Sequence, residues 1–154
     1  MKLNRDWREF VELLNAHRVE YLVVGAFAVA WHGYPRFTAD IDFLVRPDAE
    51  NAERAVNALR QFGFSSLNIA VEDLSKLDQV IQLGVTPNRI DVITSIAGVS
   101  FDEAWASRVH GSIDGVPVCF IGLEELIRNK EATGRLQDRA DADRLRKMST
   151  PPYQ

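Results

Sequence analysis

Apolar residues recur at three- and four-residue spacing near the start of the chain. Trp7, Phe10, Val11 and Leu14 fall on one face of a helix predicted to run from about Asn4 to Arg18. The pattern then changes to a short continuous apolar run, EYLVVGA, ended by Gly25, which reads as a central strand. FAVAWHG follows as a compact helix closed by Gly33, and YPRFT is a loop by its proline and polar residues. ADIDFLV is a second strand, closed by Pro47.

Further on, Asp48 can cap a helix whose apolar positions Ala52, Ala55, Val56, Leu59 and Phe62 share a face before Gly63. The segment QVIQLGVTPNRIDVITSI reads as two strands around a Thr86-Pro87-Asn88-Arg89 turn, with Asp91 early in the second. FDEAWASRV predicts a helix, GSIDGVPVCFI a smaller hairpin around Asp114-Gly115, and the remainder two helices separated near Gly134, with residues 149–154 a frayed tail. No internal repeat is visible, and helices alternate with strands too irregularly for a purely parallel βαβ sheet. The expectation is a single α+β (mixed α/β) domain over 1–154, with a mixed, mostly antiparallel sheet of about four to six strands covered by helices.

Composition narrows this picture without redirecting it. At 154 residues, 46% hydrophobic and 26% charged, the chain is long enough to bury a full core. Its opening is amphipathic and does not resemble a signal peptide, and no apolar run approaches bilayer length, so a soluble cytoplasmic protein without a membrane partner is expected. Cys119 is the only cysteine, which excludes an intrachain disulfide and a cysteine-built zinc site; within VPVCFI it reads as a buried small hydrophobe. A net charge of -4 and a pI near 5.4 do not advertise a nucleic-acid binder. Between Arg128 and Lys147, however, seven basic residues face four acids. That excess suits either a polyanion or a solvated helix face laced with ion pairs.

The candidate chemistry lies in the second strand. Asp40 and Asp42, two apart, share a face and lie roughly 6.6 Å apart along it. Two carboxylates so placed raise each other's pKa and cost free energy on desolvation unless a cation sits between them. A hard divalent ion supplies that charge, and Asp91 on a neighbouring strand is a candidate third ligand. A glycine at the strand-to-helix turn, Gly25 followed by Ala26, lets a phosphate approach backbone N–H groups. In the intervening loop, Arg36 could contact a phosphate or clamp Asp42, and Thr38 is either a nucleotide contact or only the start of the strand. VGAFAVAWHG fails as a dinucleotide fingerprint because Phe27 stands where glycine is needed. His17, His32 and His110 are scattered, with His32 read as a packed or capping residue, and Trp7, Trp31 and Trp105 as core.

With Gly25-Ala26, Asp40-Ile41-Asp42 and Asp91 in hand, the sequence resembles the nucleotidyltransferase superfamily related to DNA polymerase β. That superfamily has a Gly-Gly or Gly-Ser turn, a following Asp-x-Asp or Asp-x-Glu strand and a later third acid. VGAFAVAWHGYPRFTADIDFLV together with LEELIRNKEATGRLQDRADADRL is also similar to small bacterial nucleotidyltransferases related to abortive-infection toxins of toxin–antitoxin systems. The resemblance spans Tyr21 to Leu145; Ala26 departs from the usual second Gly or Ser, losing a hydroxyl but staying small. It implies metal ligation by Asp40, Asp42 and Asp91, with catalytic roles for these three, Lys130 and Asp138. It also implies nucleotide contacts from Gly25, Ala26, Arg36, Thr38, Lys130 and Arg135, with Asp141 beside them.

The implied reaction moves a nucleoside monophosphate from an NTP such as ATP to an acceptor hydroxyl, with Mg²⁺ or Mn²⁺ as cofactor and pyrophosphate released. The acceptor would be RNA or tRNA, a protein, or a small molecule, and an antitoxin partner is implied if the chain is a toxin. The alternative is a catalytically silent domain of the same fold that binds nucleotide, RNA or a partner protein. Its mark would be lost acids, and all three are retained.

Overall fold

A computed structural model describes residues 1–34, 37–64 and 68–149. The first amphipathic stretch forms α1 (Arg5–Ala16), capped by the Asn4 side chain, which accepts from the Trp7 N–H at 2.8 Å. Strand β1 (Tyr21–Val24) is wholly buried and runs directly into α2 (Gly25–Trp31). Strand β2 (Asp40–Val45) precedes α3 (Ala49–Leu59), where Asp48 caps as the sequence predicts, its carboxylate accepting from the Asn51 N–H at 2.7 Å. The chain then passes Gly63, whose φ of 116° suits glycine alone, and a short helix α4 (Val71–Leu74).

Strands β3 (Val80–Leu83) and β4 (Arg89–Ile93) form the expected hairpin. The predicted turn is shorter at its far end, because Arg89 is already the first residue of β4. Helix α5 (Phe101–Ala106) opens with a Ser100–Glu103 capping box, and the hairpin β5 (Val109–Ile113) and β6 (Val116–Phe120) turns at Asp114-Gly115. Helices α6 (Leu123–Ala132) and α7 (Leu136–Ser149) break at Gly134, which has φ 77°. The rest of the expected tail lies outside the described residues.

Among the described residues, six strands form one mixed sheet in the order β3-β4-β2-β1-β6-β5. Antiparallel pairs β3·β4, β1·β2 and β5·β6 are joined by the parallel pairs β2·β4 and β1·β6. The hairpins are local in sequence, whereas each parallel pair unites segments far apart, so the centre of the sheet is assembled by long-range contacts. Phe43 of β2 meets Phe10 of α1 edge to face, with centroids 5.2 Å apart, and also Tyr21 of β1. Strand alternation therefore turns Asp40 and Asp42 to the opposite face of the sheet. One face carries α1 and the main aromatic core; the other carries the acids, beneath α6 and α7.

Two expectations about packing change. Cys119 is half-buried rather than buried, because β6 alternates: Val116, Val118 and Phe120 point inward, and Pro117 and Cys119 do not. Trp7 is core, but Trp31 and Trp105 are only half-buried, Trp31 stacking on Phe120 at 4.0 Å and Trp105 lying under the Arg108 guanidinium at 4.0 Å. His32 is a packed cap, as expected: it ends α2, and its Nε2 lies 2.8 Å from the Ile121 carbonyl.

Candidate active site

The parallel register of β2 and β4 sets Asp40 beside Arg89 and Asp42 beside Asp91. All four lie on one face, since each strand contributes residues two apart. Asp40, Asp42 and Asp91 each present an oxygen within 4.8 Å of the others. This is the arrangement in which three carboxylates can share a hard cation.

The electrostatics agree with that chemistry. Burial, then the charge of Asp40, then the proximity and charge of Asp91, push the Asp42 carboxyl up to about 7, and the Lys130 ammonium opposes them. Asp91 is 6% exposed, and among the described residues its Oδ1 meets no hydrogen-bond donor when all three carboxylates are ionised. A buried carboxylate oxygen is seldom left so. Together these features fit a divalent cation bound through oxygen.

Gly25 has φ 70°, which disfavours any side chain, and a Cβ there would lie 2.1 Å from Asp42 Oδ2. The glycine that opens α2 is therefore required by the carboxylate itself. Gly25 and Ala26 also line a cavity of about 500 Å³, together with Asp40, Asp42, Lys130, Arg135 and Asp138. Val80, Ile93 and Ile96 add apolar lining to it.

The C-terminal candidates converge on the same cavity from α6 and α7. Lys130 is 7% exposed; its Nζ donates to Asp138 Oδ1 at 3.1 Å and lies 3.6 Å from Asp141 Oδ2. Asp138 Oδ2 accepts from the Thr133 hydroxyl at 2.7 Å and pairs with Arg135 at 2.9 Å. Burial pushes the Asp138 carboxyl up, but Thr133, Lys130 and Arg135 outweigh it and hold it below the ordinary carboxylate range. Arg135 is itself largely exposed at the cavity's edge.

Not every predicted residue joins this group. Thr38 is half-buried and does not line the cavity, and Arg36 lies outside the described residues. Of the seven basic residues between Arg128 and Lys147, Arg128 pairs with Glu103, Lys130 with Asp138 and Asp141, Arg135 with Asp138, and Arg146 with Glu131. Much of the local basic excess is thus spent on internal pairs.

Two residues escape the sequence pattern. Arg89, hidden in the predicted turn, donates through Nη2 to Asp40 Oδ2 at 2.6 Å and to Asp91 Oδ2 at 3.1 Å. Its position two before Asp91 was the available signal, because that spacing puts both on one strand face. Thr133, in the turn between helices, carries no pattern that marks it as a partner of Asp138.

No family model matches the chain, and no curated protein does. Solved structures share its fold. A protein of Thermotoga maritima provisionally named a nucleotidyltransferase aligns with a TM-score of 0.54 at 18% identity, covering 92% of this chain and 88% of that one. An antigenic nucleotidyltransferase-like protein of Paracoccidioides brasiliensis aligns with a TM-score of 0.56 at 17% identity, covering 98% and 80%. The chain has the nucleotidyltransferase fold, as the resemblance in its sequence implied.

Proposed function

We propose that the protein is a metal-dependent nucleotidyltransferase that moves a nucleoside monophosphate from an NTP to an acceptor hydroxyl. The observation that carries this reading is the convergence of Asp40, Asp42 and Asp91 within 4.8 Å of one another, with Asp40 and Asp42 lining a cavity that Lys130 also lines. A Mg²⁺ or Mn²⁺ ion held by these acids would neutralise charge on the phosphates and lower the pKa of the attacking hydroxyl.

The chain's own residues supply the rest. Gly25 and Ala26 leave the cavity wall without bulk where the triphosphate would lie, and Lys130 places a fixed positive charge opposite the acids. The acceptor oxygen attacks the α-phosphorus in line, the bond from that phosphorus to the α,β-bridging oxygen breaks, and pyrophosphate leaves. The acceptor's proton passes to Asp91, whose Oδ1 meets no donor among the described residues, in preference to Asp138. Asp138 accepts from three groups and is a weak base, so its role is to hold Lys130 in place.

The apolar wall of Val80, Ile93 and Ile96 suits a nucleobase or another flat acceptor group. We assign the acceptor to RNA, with a tRNA end the leading candidate, or to a protein hydroxyl. A role as the toxin of a toxin–antitoxin pair rests on the sequence resemblance alone.

The test is incubation of the purified protein with each labelled NTP, Mg²⁺ and cell extract, followed by mass analysis of RNA and protein. Transfer of label that is abolished by Asp42→Asn supports the reading. No transfer from any of the four NTPs by folded protein overturns it.

A further inference from the structure

Arg89 and the three acids form a two-by-two patch on adjacent parallel strands, Asp40 and Asp42 on β2, Arg89 and Asp91 on β4. The Arg89 Nη2 reaches Asp40 at 2.6 Å and Asp91 at 3.1 Å, so one guanidinium bridges two of the three carboxylates that a divalent ion would bridge. Among the described residues, it leaves Asp91 Oδ1 buried and unpartnered, and its own Nε is likewise buried without an acceptor. Within the same residues, both hydrogen bonds of this guanidinium go to metal-ligand candidates, Oδ2 of Asp40 and Oδ2 of Asp91. The guanidinium is well placed as a stand-in for a cation.

The charge count leads to the same place. Three ionised carboxylates at this separation repel one another, and Arg89 reduces their net charge from about -3 to about -2, which one divalent ion balances. We propose that Arg89 is a positioning residue, a built-in counter-charge that holds Asp40 and Asp91 in ligand geometry while the site lacks metal. Binding of a divalent ion then takes over its bond to Asp40. This rests on the reading of the acid cluster as a metal site. The consequence is an exchange between two properties: Arg89 stabilises the metal-free fold and lowers the affinity for the first metal ion. Binding energy of the metal is thereby set low enough that occupancy responds to the arrival of an NTP, which brings further phosphate ligands.

The test titrates Mn²⁺ alone, without NTP, into metal-stripped wild type, Arg89→Gln, Arg89→Lys and Asp42→Asn, read by calorimetry and by Mn²⁺ electron paramagnetic resonance. Thermal unfolding of the same metal-free samples is recorded. Arg89→Gln is expected to bind Mn²⁺ about tenfold more tightly than wild type and to unfold at lower temperature without metal. Arg89→Lys, which keeps the charge on a single point and cannot bridge both acids, is expected to gain about threefold.

Wild type that binds Mn²⁺ while Arg89→Gln binds it equally or more weakly overturns the role of Arg89 and leaves the metal site standing. If Arg89→Gln fails to fold, equal or weaker binding by Arg89→Lys decides the matter in the same way. Wild type and Asp42→Asn that bind Mn²⁺ alike overturn the metal site itself, and the role of Arg89 with it.

Discussion

The carboxylate of Asp42 rests on the α-carbon of Gly25, so closely that a methyl group there would lie 2.1 Å from Oδ2. A strand-to-helix glycine and a strand aspartate seventeen positions later are thus one structural unit. In Gly25→Ala the added carbon meets both an unfavourable φ of 70° and the carboxylate. The expected loss is about 1–3 kcal/mol of folding stability, with Asp42 displaced from the cluster. Urea denaturation measures the first effect. Loss of Mn²⁺-induced thermal stabilisation in the folded variant measures the second, and unchanged stabilisation would refute the coupling.

Asp42→Asn removes one negative charge from a cluster of three. Transfer activity should fall by at least about a hundredfold, since a ligand shared by the phosphates is lost. Above about pH 7, where Asp42 is ionised, the metal-free variant should nonetheless unfold at a higher temperature than wild type, because the cost of burying that charge and its repulsion from Asp40 and Asp91 are removed. A lower melting temperature for the metal-free variant would contradict the electrostatic account.

The pH dependence follows from the same residue. In the folded, metal-free protein the Asp42 carboxyl is raised to about 7, mainly by burial and by Asp40, whereas in the unfolded chain it titrates near the ordinary 3.8. The folded state therefore binds a proton that the unfolded state releases. The contribution to stability is fully present below the unfolded value and is lost as pH rises through the folded one. Metal-free wild type should lose stability relative to Asp42→Asn between about pH 4 and 7, by a melting-temperature difference on the order of 10 °C. Stabilisation by Mn²⁺ should run the other way and grow from about pH 5.5 to 8, because the ligands must be ionised to bind it. Scanning fluorimetry across that range, with and without metal, checks both signs.

Lys130 is nearly buried between Asp138 and Asp141, the latter 1% exposed. Lys130→Met leaves those two carboxylates without their shared ammonium, and a destabilisation of about 3–5 kcal/mol is expected. The double variant Lys130→Met with Asp141→Asn should recover part of that loss without recovering transfer activity. Equilibrium unfolding of the single and double variants tests this, and a single variant as stable as wild type would remove the buried-pair argument.

Much of this site is legible in the local pattern of the chain. The alternation in ADIDFLV places Asp40 and Asp42 on one face, and the helix stripes and the cap at Asp48 appear where the pattern sets them. These features depend on a dozen or fewer consecutive residues, and the 2.0 and 3.6 periods are properties of the local backbone. The resemblance of the motifs points to the fold that the solved structures share.

What the local pattern could not decide was which distant segments meet. Only the parallel register of β2 and β4 sets Asp42 against Asp91 and Asp40 against Arg89, across some fifty residues of intervening chain. A shift of one residue in that register would send Arg89 and Asp91 to the other face of the sheet. The same holds for Lys130, one charge of a basic stretch in the sequence, which is bound by Asp138 and Asp141 once α6 and α7 pack. The sequence by itself determined the elements and the kinds of chemistry available; tertiary packing decided which charges face one another. Periodicity is set by neighbours along the chain, and charge pairing by neighbours in space.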